Sequence, residues 1–365
     1  MKRRQFIKGA AVAGVAGAAA ASFPAPAIAQ GKKELKMVTT WPKNFPGLGT
    51  GAQRLADAIT AMSGGSLSVK LFAAGELVPP FESFDAVSSG TADLYHGAEY
   101  YWQGKSKAFN FFAAVPFGLT ATEIDAWVHH GGGQQLWDEL SADFNIKPFA
   151  AGNTGVQMGG WFNKEVNSLE DYKGLKIRMP GLGGEVLRQI GAAAVNLPGG
   201  EIFPALQSGA IDATEWVGPW NDLAFGFYKV AKYYYYPGFH EPGTALGSGV
   251  NLKVWEGLSA DHKAIVKTAM AAENNLTLAE FNARNNDSLK VLREKHGVKL
   301  RKFSNSILQA IGEASGNVVA EAAASDAMTK KVYDSFLGFR KNAIAWSKLS
   351  DQSYWNARLL PFKYG

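Results

Sequence analysis

Apolar and polar residues alternate along Leu35-Lys36-Met37-Val38-Thr39-Thr40-Trp41 and again from Ser66 to Phe72, which predicts two strands. Between them a helical period runs from Ala52 to Met62 and stops at Gly64-Gly65. Phe81 to Ser89 predicts a second helix, Asp93 to Ala98 a strand, and Thr120 with Glu123 a capping box for a helix through His129. A second unit begins near Asn153. It predicts a long strand over Thr154–Phe162, a single turn capped by Ser168, a strand ending in Arg178 and a helix from Glu185 to Ile190. Ala194 to Leu197, a helix over Gly200–Ser208 and a strand from Ala213 to Gly218 follow. Tyr233–Tyr236 is β-prone, and Ser248 to Leu252 predicts a strand returning to the first unit. Beyond Ser259 the pattern is helical, interrupted by a short strand at Val298–Lys302. A long helix over about Ala322–Ala345 carries Val332, Phe336, Phe339 and Ile344 on one side. The alternation predicts an α/β protein with a doubly wound sheet.

Met1-Lys2-Arg3-Arg4-Gln5-Phe6, an Ala/Gly/Val run and Ala27-Ile28-Ala29 match a twin-arginine export signal over residues 1–29, cut before Gln30. Its apolar run is too short and too rich in Gly and Ala for a membrane anchor. The remaining chain of about 336 residues exceeds what one core usually supports, so two lobes are expected. Crossings near Asn153 and Gly247 divide it into lobe I, 30–153 with 247–290, and lobe II, 154–246 with 291–321. A helical extension, 322–365, follows, and the crossings act as a hinge. The formal charge of +5 falls to +1 when Lys2, Arg3, Arg4 and Lys8 leave with the signal. No basic run with interleaved aromatics appears, so nucleic acid is not an expected partner. With no cysteine, disulfides, Cys-ligated zinc and thiol nucleophiles are excluded.

The stretch Gly174-Leu175-Lys176-Ile177-Arg178-Met179-Pro180-Gly181-Leu182-Gly183-Gly184 reads as a short strand, a proline and a glycine-rich turn ahead of a helix. Ligands collect outside the carboxyl ends of such strands, where an arginine fork suits a carboxylate. The alternative is that Lys176 and Arg178 both face water. Glu215-Trp216 ends another strand and points to the same kind of cleft; Glu215 pairs with Arg178, lies in solvent, or faces a cation that offsets its repulsion of an organic anion. Gln157 and Glu241 offer further oxygens of the kind sodium or calcium takes. Tyr100, Tyr101, Trp216 and Trp220 are candidate cleft walls. Gly47-Leu48-Gly49-Thr50-Gly51-Ala52 matches a dinucleotide fingerprint, but Pro42 and Pro46 separate it from its strand and no acid follows the next one. The six histidines form no zinc motif, and no G-x-S-x-G occurs.

Four segments carry a family resemblance: the Leu35–Trp41 opening; Ser88-Ser89-Gly90-Thr91-Ala92-Asp93-Leu94; Tyr172 to Pro180; and Gln207-Ser208-Gly209-Ala210-Ile211-Asp212-Ala213-Thr214-Glu215. In order and spacing they resemble the extracytoplasmic solute receptors of TRAP transporters, the DctP-type family. Ala213-Thr214-Glu215-Trp216-Val217-Gly218-Pro219 departs from the usual pattern and is similar to the branch that binds 2-oxo acids. The resemblance implies a two-lobed periplasmic flytrap with mixed sheets and a long C-terminal helix. It implies a receptor rather than an enzyme, delivering a pyruvate-like acid to TRAP membrane subunits. Arg178 would hold the ligand carboxylate. Gln157, Glu215, the Trp216 carbonyl and Glu241 would hold one cation, sodium or calcium. Gln157, Tyr101, Asn153 and Trp216 would also touch the ligand. Relatives exchange a C-terminal helix between two subunits, which implies a possible homodimer. The competing reading is an exported oxidoreductase with a nucleotide cofactor.

Overall fold

The computed structural model describes residues 32–364, so the expected leader lies outside the described residues. Its strands are β1 (Lys33–Thr39), β2 (Leu67–Phe72), β3 (Leu94–His96), β4 (Ile146–Asn153), β5 (Gly160–Phe162), β6 (Lys176–Arg178), β7 (Ala193–Val195), β8 (Ala213–Thr214), β9 (Tyr233–Tyr236), β10 (Ala245–Asn251) and β11 (Lys299–Lys302). They form a five-stranded sheet in the order β2-β1-β3-β10-β4 and a six-stranded sheet in the order β11-β9-β5-β8-β6-β7. Each sheet is mixed. Strand β10 runs antiparallel to β3 and β4, and β5 runs antiparallel to β8 and β9. The remaining ladders are parallel and need crossovers, the first supplied by the Gly49–Met62 helix between β1 and β2.

The chain leaves the first sheet after Asn153 and re-enters it at Ala245. The two passages run side by side: the Thr154 amide donates to the Thr244 carbonyl, and the Gln157 amide to the Glu241 carbonyl, both at 3.1 Å. This corrects the long strand expected over Thr154–Phe162. Only Gly160–Phe162 is strand, because the amides before it are drawn in different directions. Met158 donates to Val217 and Gly159 to Tyr235, and Gly155 sits at φ +69°. Strand β8 is likewise shorter than expected. Its continuation is diverted when the Val217 amide donates to Asp222 Oδ1 (3.3 Å).

The helix expected from Glu185 begins four residues earlier and spans Gly181–Gln189. Its glycines therefore form a first turn rather than a preceding loop. A Cβ at Gly184 would lie 2.3 Å from the Met179 carbonyl, so a side chain there would push the helix off its strand. The C-terminal helix starts later than expected. Asn305–Ala323 ends, and Asp326 caps a new helix, Ala327–Leu349, by accepting from the Thr329 amide (2.7 Å).

Ala260–Glu294 forms one helix of 35 residues. Its Val266, Ala269 and Met270 pack with Leu35, Met37 and Phe149 of the first sheet. Further along, Phe281 and Leu292 join a cluster with Trp161, Trp216 and Tyr234 beside the second. The Gly47–Ala52 segment is packed against this helix. A Cβ at Gly47 would meet Trp220 at 2.8 Å and Phe281 at 2.9 Å, and one at Gly51 would meet Glu273 at 2.8 Å. Packing accounts for those glycines, and nothing supports the nucleotide reading.

Candidate functional site

Parallel pairing places the site. Arg178 at the end of β6 stands in register with Thr214 of β8, so Glu215, the next residue, emerges at the same sheet edge. The Glu215 amide donates to the Arg178 carbonyl (3.2 Å), which fixes their relation through the backbone. Lys176, two residues earlier, is exposed, whereas Arg178 is 1 % exposed beneath the crossing segments. Its Nε donates to the Leu197 carbonyl (3.1 Å) and its Nη1 to the Glu215 carbonyl (3.3 Å). Nη1 also pairs with Glu215 Oε1, and the Trp216 ring covers the guanidinium at 5.2 Å. Nη2 has no acceptor among the described residues.

The crossing segments close over this pair. Thr244 Oγ1 donates to Glu241 Oε2 (2.5 Å), and Gln157 Nε2 donates to Thr154 Oγ1 (3.0 Å) and Thr244 Oγ1 (3.2 Å). Gln157 Oε1 has no donor among the described residues. His240 Nε2 lies 3.3 Å from Glu215 Oε2 and 4.0 Å from Glu241 Oε1. Ligand-type atoms of Glu215, His240 and Glu241 thus fall within 4.8 Å of one another. Burial raises the Glu215 carboxyl to about 7 against the pull of Arg178. Burial and the neighbouring Glu215 raise Glu241 to about 7 as well. Burial also holds His240 down to about 4, so its ring is neutral. One guanidinium therefore faces two carboxyls, a neutral imidazole and a free amide oxygen. That donor set fits a cation.

Trp41, Tyr100, Tyr101, Gln157, Trp216 and Thr244 line a small cavity here of about 10 Å³. The Tyr101 ring meets Trp41 edge-on at 6.2 Å, and burial lifts its hydroxyl to about 12, with Arg178 opposing. Asn153 stands at the crossing: its Oδ1 accepts from the Gly155 amide (2.8 Å) and its Nδ2 donates to the Gly243 carbonyl (3.3 Å). Trp220 is not a wall of this cavity; it packs on Phe281 at 5.4 Å. A larger hollow, lined by Lys107, Glu185, Arg188 and Glu321, contains no unpartnered buried polar atom. Sequence reasoning missed Trp41, Thr244 and His240. The available signal for His240 was its place next to Glu241 in a turn, where consecutive side chains can converge on one site.

A family model described as bacterial extracellular solute-binding protein, family 7, matches residues 37–326. The chain belongs to that family. This family 7 protein is 44% identical over 321 residues to a monocarboxylate 2-oxoacid-binding periplasmic protein of Nostoc, spanning 88% of each. It also matches a TRAP periplasmic solute-binding protein from Pseudoalteromonas atlantica, solved with sodium and pyruvate, at 40% identity and TM-score 0.87. That match covers 91% of this chain and 100% of the other. A counterpart from Colwellia psychrerythraea, solved with calcium and pyruvate, matches at 40% identity and TM-score 0.86, covering 89% and 99%. The family is one of extracytoplasmic solute receptors, not enzymes, and the two-sheet fold of this receptor is theirs.

Proposed function

We propose that this receptor captures a small 2-oxo monocarboxylate such as pyruvate together with one cation, sodium or calcium, for uptake by TRAP membrane subunits. The carrying observation is the pairing of opposite deficits in one buried site. Among the described residues, Arg178 Nη2 has no acceptor and Gln157 Oε1 has no donor. A carboxylate satisfies the first and a cation the second, and a 2-oxo acid chelates the cation through its keto oxygen. In this reading Arg178 binds the carboxylate, and Gln157, Glu215, Glu241 and the Trp216 carbonyl hold the ion. Trp216 and Tyr101 wall the ligand, and Asn153 offers its second Nδ2 hydrogen while tying the crossing together. The ligands of the Nostoc, Pseudoalteromonas and Colwellia relatives support the choice of acid and ion.

The same reading takes 30–153 with 247–290 and 154–246 with 291–321 as two lobes that close on the ligand at the crossings. Residues 1–29 direct twin-arginine export to the periplasm. A helix-exchanged homodimer is supported by the C-terminal tail, where Tyr354, Trp355, Leu359, Leu360 and Phe362 are all exposed. Calorimetric titration of chelator-treated protein with pyruvate tests the central claim. Binding is expected with added sodium or calcium and absent in a choline buffer. Equal affinity in both would remove the ion from the site, and no binding in either would remove the acid.

A further inference from the structure

His240, whose Nε2 is at hydrogen-bond distance from Glu215 Oε2 (3.3 Å), is the member of the buried cluster that a sodium- or calcium-type oxygen set does not use as a ligand. It is 2 % exposed, and its Cβ backs onto Gly183, where an added Cβ would come within 2.7 Å. The first turn of the Gly181–Gln189 helix therefore holds the ring in place. Its Nε2 faces both carboxyls, at 3.3 Å from Glu215 and 4.0 Å from Glu241. Metal bonds of about 2.0–2.2 Å separate neighbouring ligand atoms by roughly 3–4 Å, which the two distances from His240 match, and all three ligand atoms fall within 4.8 Å of one another. The other ring nitrogen, Nδ1, is buried and unpartnered. Imidazole nitrogen adds little to a hard sodium or calcium ion but much to a borderline divalent ion.

Resting on the proposed cation-assisted capture, the geometry points to His240 as a specificity residue. It extends the site's range to borderline divalent ions such as cobalt, nickel or zinc, bound by Glu215, His240 and Glu241. The acid is then carried as a complex of such an ion as readily as with calcium. The ligand set has two carboxylates and one imidazole.

The test titrates chelator-treated full-length protein with cobalt chloride in the presence of pyruvate. Calorimetry and the visible cobalt spectrum are read together, with a parallel calcium titration. One cobalt per chain with a pyruvate-dependent band is expected. His240→Gln should weaken cobalt by about a hundredfold or more and calcium by less than about fivefold. His129→Gln/His130→Gln, which removes two histidines outside the cluster, should leave the band in place. Calcium-dependent pyruvate binding with no cobalt band, or a band that survives in His240→Gln, overturns this assignment and leaves the proposed function standing. If the substituted protein does not fold, pulsed EPR of the copper-loaded wild type with pyruvate decides: a signal without imidazole nitrogen overturns it. Failure of pyruvate to bind with any ion would instead overturn the proposed function.

Discussion

Arg178 shows how much depends on the shape of a charge rather than its sign. Its fork reaches the Leu197 carbonyl, the Glu215 carbonyl and the Glu215 carboxylate at once and still has Nη2 free. An ammonium cannot cover those directions from one point. Arg178→Lys is expected to lower pyruvate affinity at least about a hundredfold, ~3 kcal/mol, in calorimetry. Glu215→Gln removes the carboxylate paired directly with that buried guanidinium and should destabilise the fold by about 3–5 kcal/mol, seen in denaturant melts. The raised carboxyls make stability depend on pH with a definite sign. Glu215, Glu241 and Asp222 titrate at about 7 and Glu99 at about 8 in the folded chain, mainly through burial. Unfolded carboxyls release their protons far lower, so the folded state holds more protons and loses stability as pH rises through 7 and 8. His96 and His240, held down to about 4 by burial, work the other way, but only while the pH falls below the ordinary histidine value. From pH 6.5 to 8 the cation-free protein should therefore melt progressively lower. A bound cation should flatten that slope, since it needs the carboxylates ionised. A melting temperature rising with pH in the cation-free protein would contradict this.

Elements were legible where their periods were long and their ends chemically marked. The Gly49–Met62 helix, Tyr233–Tyr236 and the Thr120–Glu123 capping box stand close to where the pattern put them. Arg178 and Glu215 were legible as a pair because both stand at carboxyl ends of strands, which parallel pairing brings to one edge. His240 was not, because it lies in a turn where no period assigns a face. The Gly181–Gly184 run misled for a physical reason: close approach of a helix to its strand demands the same residue as a turn. Gly184→Ala should accordingly cost about 1–3 kcal/mol in denaturant melts, although alanine is the better helix former. Asp222 illustrates a role invisible to motif reading. It accepts from Trp161 Nε1 (2.9 Å), Tyr234 hydroxyl (2.6 Å) and the Val217 amide, and so anchors the loop that presents Glu215 and Trp216. Asp222→Asn should lower stability by about 1–3 kcal/mol.

For the whole molecule, two features lie outside the ligand site. Under the proposed helix exchange, a chain ending at Leu349 should run as a monomer in light scattering while the full chain runs as a dimer. Full-length protein that is monomeric at micromolar concentration would end that reading. The second feature is the Ala260–Glu294 helix, which packs on the first sheet near one end and, through Phe281 and Asn285, on the Trp220 region near the other. At about 1.5 Å per residue it is a rigid beam of roughly 52 Å, fastened to both halves. Under the proposed closure of two lobes, these could not part without sliding or stripping one of those fastenings. On that reading the dwell time of a captured acid is set partly by a strut that never touches it, and loosening Phe281 should hasten release before it weakens a single ligand contact.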